Sequence, residues 1–415
     1  MAQAAETGRP SDEHSSRPAA EPLSYSDRAC PPEETFRQIE AFLPALGVTR
    51  LARLTGLDRL GIPVWSAVSP NARSIVINQG KGITDVDAKV SAAMEAIERA
   101  VACAPSAPTR TATSRALSET GDRTLHLPGL ISAGQADLQD DETIDWLRGF
   151  DLFDGATTWV PREATILDRT IVGYRYWQSS DGLASGNTEV EATLHGLLER
   201  IERDAETLWR MLPLNGKHRS CIDPGSFEDP VLDALTERIA SSGLELRLFD
   251  MTSDIGIPCY AATLAEAGIL SARQPRYHDV TIGHGAHPVA RRAAIRAVTE
   301  AAQSRLTYIS GARDDVFPET FTRDLPEETR GLFAAVPLRT SVAAPDAPAG
   351  PQALLDYVLL RLEAAGIRTV VVVPLMEGVA PFSVVKVIVP ALENPDGLRK
   401  RRFGERALAR ALEAG

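Results

Sequence analysis

The sequence predicts an α+β fold, or an irregular α/β fold, in which the sheets are mostly antiparallel. The short apolar runs Pro63–Ser69 and Arg73–Asn78 are separated by a Pro-Asn turn, which predicts a β-hairpin. The longer runs Asp85–Cys103 and Glu189–Met211 have the periodicity of amphipathic helices. Because strands and helices do not alternate strictly along the chain, a regular parallel βαβ sheet is not predicted.

Each further element is predicted from its periodicity and from the turn residues that bound it. Further helices are predicted, in chain order, at Glu34–Leu46, Val231–Ser241, Val289–Tyr308, Gln352–Ala365 and Gly404–Leu412. Further strands are predicted at Trp159–Val160, Ile171–Trp177, Leu244–Asp250, Pro258–Leu264, Thr369–Val373 and Ser383–Val389. Residues 109–142 have weak patterning and predict loops, Thr281–His287 predicts a glycine-rich turn, and residues 337–351 predict an Ala/Pro linker or lid. Thr188 and Glu191 have the spacing of a capping box at the start of the longest helix.

Composition and charge exclude several classes of protein. The 415 residues are 44% hydrophobic and 24% charged, which is typical of a soluble globular protein, and the net charge is -12. An acidic chain gains no general electrostatic attraction to nucleic acid or to an anionic membrane, so neither is expected as a partner. No apolar run is long enough to span a membrane, and the first residues do not have the apolar segment of a secretory signal, so we expect a cytoplasmic protein.

We expect one large domain of interlocked subdomains over residues 31–395. Residues 1–30 are rich in Ala, Ser, Pro and charged residues without periodicity, and they are predicted to be a disordered tail. Residues 396–415 are predicted to be a helical tail without a PxPxP motif. The four cysteines lie far apart and match no zinc-site spacing, so they are expected to be reduced thiols.

Three of the predicted helices carry acidic side chains on one face. In the first, Ser91, Glu95 and Glu98 share a face because residues three and four apart are neighbours on a helix. The first two helices also share the pattern Glu-x-Ile-Glu-Arg. The polar residues of the three segments are Ser91, Glu95, Glu98 and Arg99; Asn187, Glu191, Glu199, Glu202 and Arg203; and Arg296, Glu300, Gln303 and Arg305.

This spacing has two interpretations. Acidic and basic residues three or four apart commonly form a solvated helix surface with intrahelical ion pairs. Here, however, each helix follows a glycine-rich segment that is predicted to be a turn (residues 80–82, 182–186 and 283–285), and small residues lie beside the acids. Clustered carboxylates with little nearby lysine repel one another unless a cation neutralises them. Because Mg²⁺ prefers oxygen ligands and bridges to phosphates, the residues suit a site for Mg²⁺ and a nucleoside triphosphate.

The expected nucleotide site has no P-loop. The motif GxxxxGK[ST] is absent because Lys81 is followed by Gly82, and the Gly-His-Gly run at 283–285 does not have the third glycine of a dinucleotide-binding motif. Lys81 lies between Gly80 and Gly82, and few lysines occur elsewhere in the chain. We hypothesise that Lys81 contributes to the phosphate end of the site, whereas the simpler interpretation is a solvated turn lysine.

These motifs resemble those of the YcaO family. The matching segments are residues 61–100, which read GIPVWSAVSPNARSIVINQGKGITDVDAKVSAAMEAIERA, and residues 181–206, 282–315 and 381–393. Three separated motifs in the family's order make the resemblance specific, and it covers most of the chain. The resemblance implies a YcaO-type fold whose ATP site is lined by three helices.

The resemblance also implies an activity, which is the phosphorylation of a backbone amide oxygen with ATP and Mg²⁺. A Cys, Ser or Thr of the substrate then forms an azoline, or sulfide forms a thioamide. The residues that it assigns to ATP and Mg²⁺ are Ser91, Glu95, Glu98, Arg99, Asn187, Glu191, Glu199, Glu202, Arg203, Glu300, Gln303 and Arg305. The expected Mg²⁺ ligands among them are Glu95, Glu98, Glu191 and Glu202. No catalytic base or nucleophile of the chain is predicted.

Two products remain open at this point. Azoline-forming members of the family often end in a PxPxP tail, which this sequence lacks, and residues 61–76 and 282–315 are similar to the group that works with a TfuA-type partner. We therefore expect thioamide formation, with azoline formation as the alternative. The expected partners are a peptide or protein substrate, a TfuA-like protein, a sulfide donor and a second copy of the chain. A non-catalytic peptide-docking subunit and an ATP-dependent ligase of small molecules are the other classes that stay open.

Overall fold

The computed structural model describes residue 25 and residues 27–340, 348–394 and 397–414. Its α-helices are α1 (Pro32–Ile39), α2 (Asp85–Cys103), α3 (Ser114–Glu119), α4 (Glu189–Arg210), α5 (Leu214–Arg219), α6 (Pro230–Ser241), α7 (Ala290–Ser310), α8 (Glu319–Thr322), α9 (Glu327–Gly331), α10 (Pro351–Ala364) and α11 (Glu405–Ala414). Its strands are β1 (Arg50–Arg53), β2 (Val64–Val68), β3 (Ile77–Lys81), β4 (Thr109–Thr113), β5 (Arg123–Thr124), β6 (Thr143–Asp151), β7 (Thr157–Pro161), β8 (Leu183–Gly186), β9 (Cys221–Ile222), β10 (Leu244–Asp250), β11 (Cys259–Glu266), β12 (Val280–Ala286), β13 (Val371–Pro374) and β14 (Ser383–Ile388). In this described part of the chain, no helix is long and apolar enough to cross a membrane.

The strands form three sheets, and the predicted α+β class with mostly antiparallel pairing is confirmed. One sheet has the order β1-β2-β3 and a second has the order β12-β11-β10-β9. The third, of seven strands, runs β5-β7-β6-β13-β14-β8, with β4 also paired to β6. Among these pairs, β5 with β7 is parallel and the others are antiparallel.

Each of the three acid-bearing helices follows the edge strand of a different sheet: β3 precedes α2, β8 precedes α4 and β12 precedes α7. The glycine-rich segments before these helices were predicted to be turns, and this prediction is wrong because their glycines lie largely within the strands. A Cβ atom on Gly80 would lie 2.0 Å from the backbone nitrogen of Ala92, and one on Gly283 would lie 2.1 Å from that of Ala301. Glycine therefore serves here to let each helix backbone pack directly on its strand.

The seven-stranded sheet is buried on both faces at its central strands β13 and β14. In β13, Val372 packs with residues of α4 and α10, whereas its neighbours Val371 and Val373 pack with residues of α2. In the four-stranded sheet, Phe249 packs on the α4 side and Leu248 packs on the side of α6 and α7. Because successive side chains point to opposite faces of a sheet, these apolar strands hold helices on both faces and bring α2, α4 and α7 toward one centre.

Several predicted elements differ from the structure. Ile171–Trp177 is not a strand. It forms one isolated β-bridge, between Tyr176 and Ile131, and, among the described residues, no continuous ladder of backbone hydrogen bonds with another strand. The region predicted to be loops, residues 109–142, contains β4, α3 and β5, and β4 is stabilised by pairing with β6. The helix predicted at Glu34–Leu46 is α1, which begins at Pro32 and ends at Ile39. The predicted hairpin, the long helices and both C-terminal strands are confirmed within a few residues.

The predicted disordered tail of residues 1–30 lies mostly outside the described residues. Its described part, residue 25 and residues 27–30, makes specific contacts, so there the prediction is wrong. The hydroxyl of Tyr25 donates to Asp229 at 3.0 Å, and the backbone N–H of Ala29 donates to Glu191 at 2.9 Å. In the predicted linker of residues 337–351, residues 341–347 also lie outside the described residues. All four cysteines are free thiols, as expected.

Candidate active site

The helices α2, α4 and α7 surround one divided cleft. Its first part, the large cavity, has a volume of about 530 Å³ and is lined by α2, α4, α7 and Tyr25. Its second part, the acidic cavity, has a volume of about 470 Å³ and is lined by β8 and the same three helices. The residues that line both parts are Arg28, Lys81, Ser91, His195, Glu199, Arg203 and Glu300. Most of the site residues expected from the sequence therefore meet at this cleft.

Lys81 and Glu300 form an ion pair between the two cavities. Lys81 is the last residue of β3, so it is a strand residue beside α7 and not a turn lysine. The other carboxylate oxygen of Glu300 accepts a hydrogen bond from the backbone N–H of His284 at 3.3 Å. Burial opposes ionisation of Glu300, but the positive charges of Lys81 and Arg203 outweigh it and lower the pKa of Glu300 to about 2. Lys81 therefore faces an ionised carboxylate at neutral pH.

Arg203 holds together the acidic groups at the middle of α4. Its guanidinium lies 3.6 Å from Glu199, 3.3 Å from Glu206 and 3.6 Å from Asp181. The backbone N–H of Gly182 donates to Glu199 at 2.9 Å. Because a guanidinium presents several donors in a fixed plane, Arg203 fixes the orientation of Glu199 relative to the start of β8.

Three carboxyl groups of the cleft, those of Glu98, Glu199 and Glu202, bind protons more tightly than an exposed glutamate does. Burial raises the pKa of Glu202 to about 8, and the negative charge of Glu300 raises it further. The positive charge of Arg203 opposes this increase but does not cancel it. Burial also raises the pKa of Glu98 well above its usual range, and the charge of Glu95 reinforces the effect. A bound divalent cation would favour the ionised form of these buried carboxyl groups, so cation binding and loss of their protons are linked.

Helix α2 presents Ser91, Glu95, Glu98 and Arg99 to the acidic cavity, in agreement with their helical spacing. Arg99 donates to Glu95 at 3.2 Å, so this part of the alternative interpretation, an intrahelical ion pair, is also correct. Gln303 of α7 lines the same cavity and donates to a backbone carbonyl of β3 at 3.4 Å. The first and third of the acid-bearing helices therefore both contribute polar side chains to the acidic cavity.

The N-terminal end of α4 is covered by the described N-terminal residues. Asn187 donates to both oxygens of Glu191, at 3.1 Å and 2.9 Å, and the backbone N–H of Ala29 donates to Glu191 at 2.9 Å. Arg28 lies 3.9 Å from the same carboxylate. Thr188 caps the helix by accepting from the backbone N–H of Glu191, but the Glu191 side chain does not complete the predicted capping box. Its carboxylate binds Asn187 instead.

The structure leaves three expected residues outside the cleft walls. Asn187 and Glu191 line neither cavity, because Arg28 and Ala29 lie over them. Arg305 lines neither cavity either, and its guanidinium is ion-paired with Glu266 at 3.0 Å. A spacing rule cannot distinguish these residues from their neighbours, because it does not contain the rotation of the helix relative to the cleft.

The donor set fits a Mg²⁺ ion that is held jointly with a nucleotide. Of the four expected ligands, Glu95, Glu98 and Glu202 line the cleft and Glu191 does not. Among the described residues, no three acidic, histidine or cysteine side chains converge closely enough to hold a metal by themselves. Mg²⁺ commonly keeps water molecules and is bound by one or two carboxylates together with phosphates, so a pre-formed protein cage is not required.

Three arginines of the cleft, Arg28, Arg292 and Arg313, were not predicted from the sequence. Arg28 lies in the segment predicted to be disordered, where no signal points to a site, and Arg313 follows α7 in a stretch without periodicity. Arg296, which helix spacing places on the face of Glu300, lines the large cavity. Ile83 and Ile295 add apolar walls to the same cavity. Cationic groups beside apolar walls suit the triphosphate and the base of a nucleotide.

His195 lines both cavities but is not a proton donor at neutral pH. Burial lowers its pKa to about 3, and the positive charges of Arg296 and Arg28 act in the same direction. The imidazole is therefore neutral at this pH and is not suited to act as a catalytic acid.

A comparison with protein families matches residues 79–393 of this chain to the model described as YcaO cyclodehydratase, ATP- and Mg²⁺-binding. Among curated proteins, the chain is similar to a Rhizobium leguminosarum bv. trifolii protein named for its place in the tfuA 3′ region. The two are 39% identical over 402 residues, which cover 94% of each chain.

Two solved structures share the fold. A structure of YcaO from Methanopyrus kandleri bound with AMPPCP and Mg²⁺ has a TM-score of 0.68 and 22% identity, and the match covers 91% of this chain and 96% of that one. A heterocyclase in complex with substrate and cofactor has a TM-score of 0.71 and 23% identity, over 92% of this chain. This chain spans 54% of the length of that heterocyclase. At identities of 22% and 23%, these two likenesses show a shared fold and nothing beyond it.

Proposed function

This chain belongs to the YcaO family, and on that premise we propose that it uses ATP and Mg²⁺ to phosphorylate the oxygen of a peptide backbone amide, which sulfide then replaces to give a thioamide. An amide oxygen is a poor leaving group, and phosphorylation converts it into one that departs as phosphate. The C–O bond breaks, a C–S bond forms, and ADP and phosphate are the other products.

The observation that carries the proposal is the acidic cleft itself. Glu98, Glu199 and Glu202 come from two helices, line the same divided cavity and all have a raised pKa because burial and neighbouring acids oppose their ionisation. A non-catalytic docking subunit has no need for such a set, because clustered buried carboxylates destabilise the folded protein unless a ligand neutralises them.

We assign roles to the residues of the cleft from their positions. Bound Mg²⁺–ATP supplies the phosphoryl group that activates the amide. One or two of the carboxylates of Glu98, Glu199 and Glu202 would bind the Mg²⁺ together with phosphate oxygens, and Arg203 keeps Glu199 oriented. Lys81 and Arg296 bind phosphate oxygens in the large cavity, with Lys81 fixed by Glu300. Fixed charges of this kind stabilise the charge that develops during phosphoryl transfer.

Thioamide formation is favoured by the similarity to the protein of the tfuA 3′ region, which extends over almost the whole of both chains. We therefore propose a TfuA-like protein as a partner, together with a sulfide donor, a peptide or protein substrate and a second copy of the chain. An external nucleophile needs space beside the activated carbon, and the acidic cavity offers about 470 Å³ next to the proposed Mg²⁺ ligands.

Azoline formation is the second candidate. It is supported by the description of the matching family as cyclodehydratases and by the structural likeness to a heterocyclase. Both reactions begin with the same phosphorylation, so the Mg²⁺–ATP residues are the same in each. What differs is whether sulfide or a neighbouring side chain of the peptide reaches the activated carbon first.

The deciding experiment incubates the purified chain with ATP, Mg²⁺ and a candidate substrate peptide, with and without sulfide and a TfuA-like protein. Intact-mass measurement then reads the product. We expect the mass to rise by the difference between sulfur and oxygen, only when sulfide is present. Loss of one water without sulfide would favour the azoline instead.

Replacing Lys81 tests the phosphate end of the site. We expect Lys81→Ala to lower ATP turnover at least about tenfold, because a charge-assisted hydrogen bond contributes roughly 1.5–3 kcal/mol. Lys81→Arg is expected to retain part of the activity, since it keeps the charge beside Glu300. Steady-state measurement of phosphate release checks both variants.

The matched control for this test is Lys89→Ala. Lys89 also lies near the start of α2, but its ammonium nitrogen lies 3.7 Å from the centre of the Phe36 ring, in a cation–π contact. Lys89 lines neither cavity. Its turnover should equal that of the unchanged protein. If Lys81→Ala and Lys81→Arg both have unchanged turnover, Lys81 does not belong to the site.

A further inference from the structure

The acidic cavity adjoins a smaller chamber, which we call the arginine cavity. It has a volume of about 170 Å³, and Arg99, Ser180 and Arg313 line both it and the acidic cavity. Ser74, Arg169 and Gln178 belong to the arginine cavity alone. None of these last three residues belongs to the three acid-bearing motifs.

Positive charge dominates the arginine cavity. Three guanidinium groups line it against one carboxylate, Asp315, which binds Arg313 through two hydrogen bonds of 2.9 Å and 2.5 Å. Arg99 is shared with Glu95 of the acidic cavity. Arg169 is exposed, and its positive charge helps to lower the pKa of Asp315. The arginine cavity therefore has an excess of positive charge, whereas cationic and acidic side chains are nearly balanced in the acidic cavity.

The inner wall of the arginine cavity has two polar atoms without a partner among the described residues. The hydroxyl of Ser74 is buried, with 9% of the residue exposed, and forms no hydrogen bond. The side-chain oxygen of Gln178 accepts from the backbone N–H of Asp168 at 2.7 Å, which orients the amide, and its buried Nε2 atom is left unpaired. Buried polar groups are normally satisfied, so unpaired donors in the wall of a cationic cavity point to an anionic ligand.

We propose that the arginine cavity is an oxyanion site that binds inorganic phosphate. Arginine forks and hydroxyl and amide donors match the oxygens of a tetrahedral anion, and the volume is several times the roughly 30 Å³ of one water molecule. This proposal rests on the proposed function, in which each turnover releases one phosphate beside the acidic groups. Arg99 and Arg313 line both cavities, so they offer the released anion a cationic route from the acidic cavity into the arginine cavity.

Calorimetric titration of inorganic phosphate into the full chain, without nucleotide or peptide, tests the site. We expect Arg169→Gln and Ser74→Ala to weaken phosphate binding about tenfold each, whereas Arg115→Gln leaves it unchanged. Arg115 is an exposed arginine of α3 that lines neither the cleft nor the arginine cavity, and Arg169 is exposed, so neither replacement disturbs the core. Equal affinity in Arg169→Gln and Arg115→Gln, or no binding to the unchanged chain, overturns the proposal.

Two further arms separate the remaining explanations. Phosphate binding that is lost in Lys81→Ala but kept in Arg169→Gln belongs to the nucleotide site and overturns the proposal. In the second arm, hydrosulfide replaces phosphate in the titration. If the unchanged chain binds hydrosulfide but not phosphate, and Arg169→Gln loses this binding, the cavity is an entrance for the nucleophile and the phosphate proposal is overturned. The titration uses no peptide or nucleotide, so its result does not depend on whether the chain forms a thioamide. Conversely, the absence of a phosphate site would not change the product that the thioamide assay measures.

Discussion

Glu202→Gln is expected to lower ATP turnover by a factor of about a hundred or more. Glu202 lies in the large cavity beside Glu300, Lys81 and Arg203, where the proposed Mg²⁺ and phosphates meet. The amide keeps the shape of the side chain but removes the charge, and losing roughly 3 kcal/mol of charge stabilisation corresponds to about a hundredfold in rate. Phosphate release measured at saturating Mg²⁺–ATP checks the prediction.

The control is Glu237→Gln, which removes an exposed carboxylate on α6, outside the cleft. Its turnover should be unchanged. A circular dichroism spectrum of Glu202→Gln that matches the unchanged protein establishes that the loss is not an unfolding effect. Turnover within threefold of normal in Glu202→Gln would remove this residue from the proposed Mg²⁺ ligands.

The pH dependence of Mg²⁺–nucleotide binding gives an independent readout of the same group. Burial and the charge of Glu300 raise the pKa of Glu202 to about 8, so below that pH a proton competes with the cation for the carboxylate. Affinity should therefore increase from pH 6 to about 8 and level off above it. In Glu202→Gln the affinity should increase less steeply with pH. The pH dependence that remains is expected to come from Glu98 and Glu199, whose pKa values are also raised.

Gly283→Ala is expected to prevent stable folding. The added Cβ would lie 2.1 Å from the backbone nitrogen of Ala301 and 2.4 Å from the backbone oxygen of Ala297. Backbone atoms in the middle of a helix cannot move aside as a flexible side chain can, so α7 would have to separate from β12. We expect a destabilisation of at least about 3 kcal/mol, seen as a large fall in soluble yield and in the thermal midpoint.

Gly56→Ala is the matched control, because Gly56 is exposed, a Cβ atom added there would meet no atom within 4 Å, and its backbone does not require a positive φ. Its thermal midpoint should stay within a degree or two of the unchanged protein, since a change of 1 kcal/mol shifts the midpoint of a domain of this size by only about 2–4 °C. A normal midpoint in Gly283→Ala would show that α7 tolerates a wider spacing from β12.

The acid-bearing helix faces were predictable because helical periodicity is a local property. Ser91, Glu95 and Glu98 line the acidic cavity together, as their spacing requires, and Thr188 begins α4 as its residue type suggests. The strands were predicted less well. The glycines at 80–82 and 283–285 have the composition of turns, but pairing with β2 and β11 makes their segments strands.

The family, the α+β class and the acidic face of each helix follow from the sequence alone, because they depend on motifs and on contacts within a few residues. The tertiary structure decides which residues of these motifs line the same cleft. It places Arg28 and Arg313 at the cleft, although no local signal marks them, and it places Glu191 and Arg305 against other partners. The rotation of each helix is set by side chains packing across sheets, and no spacing within one helix contains that information.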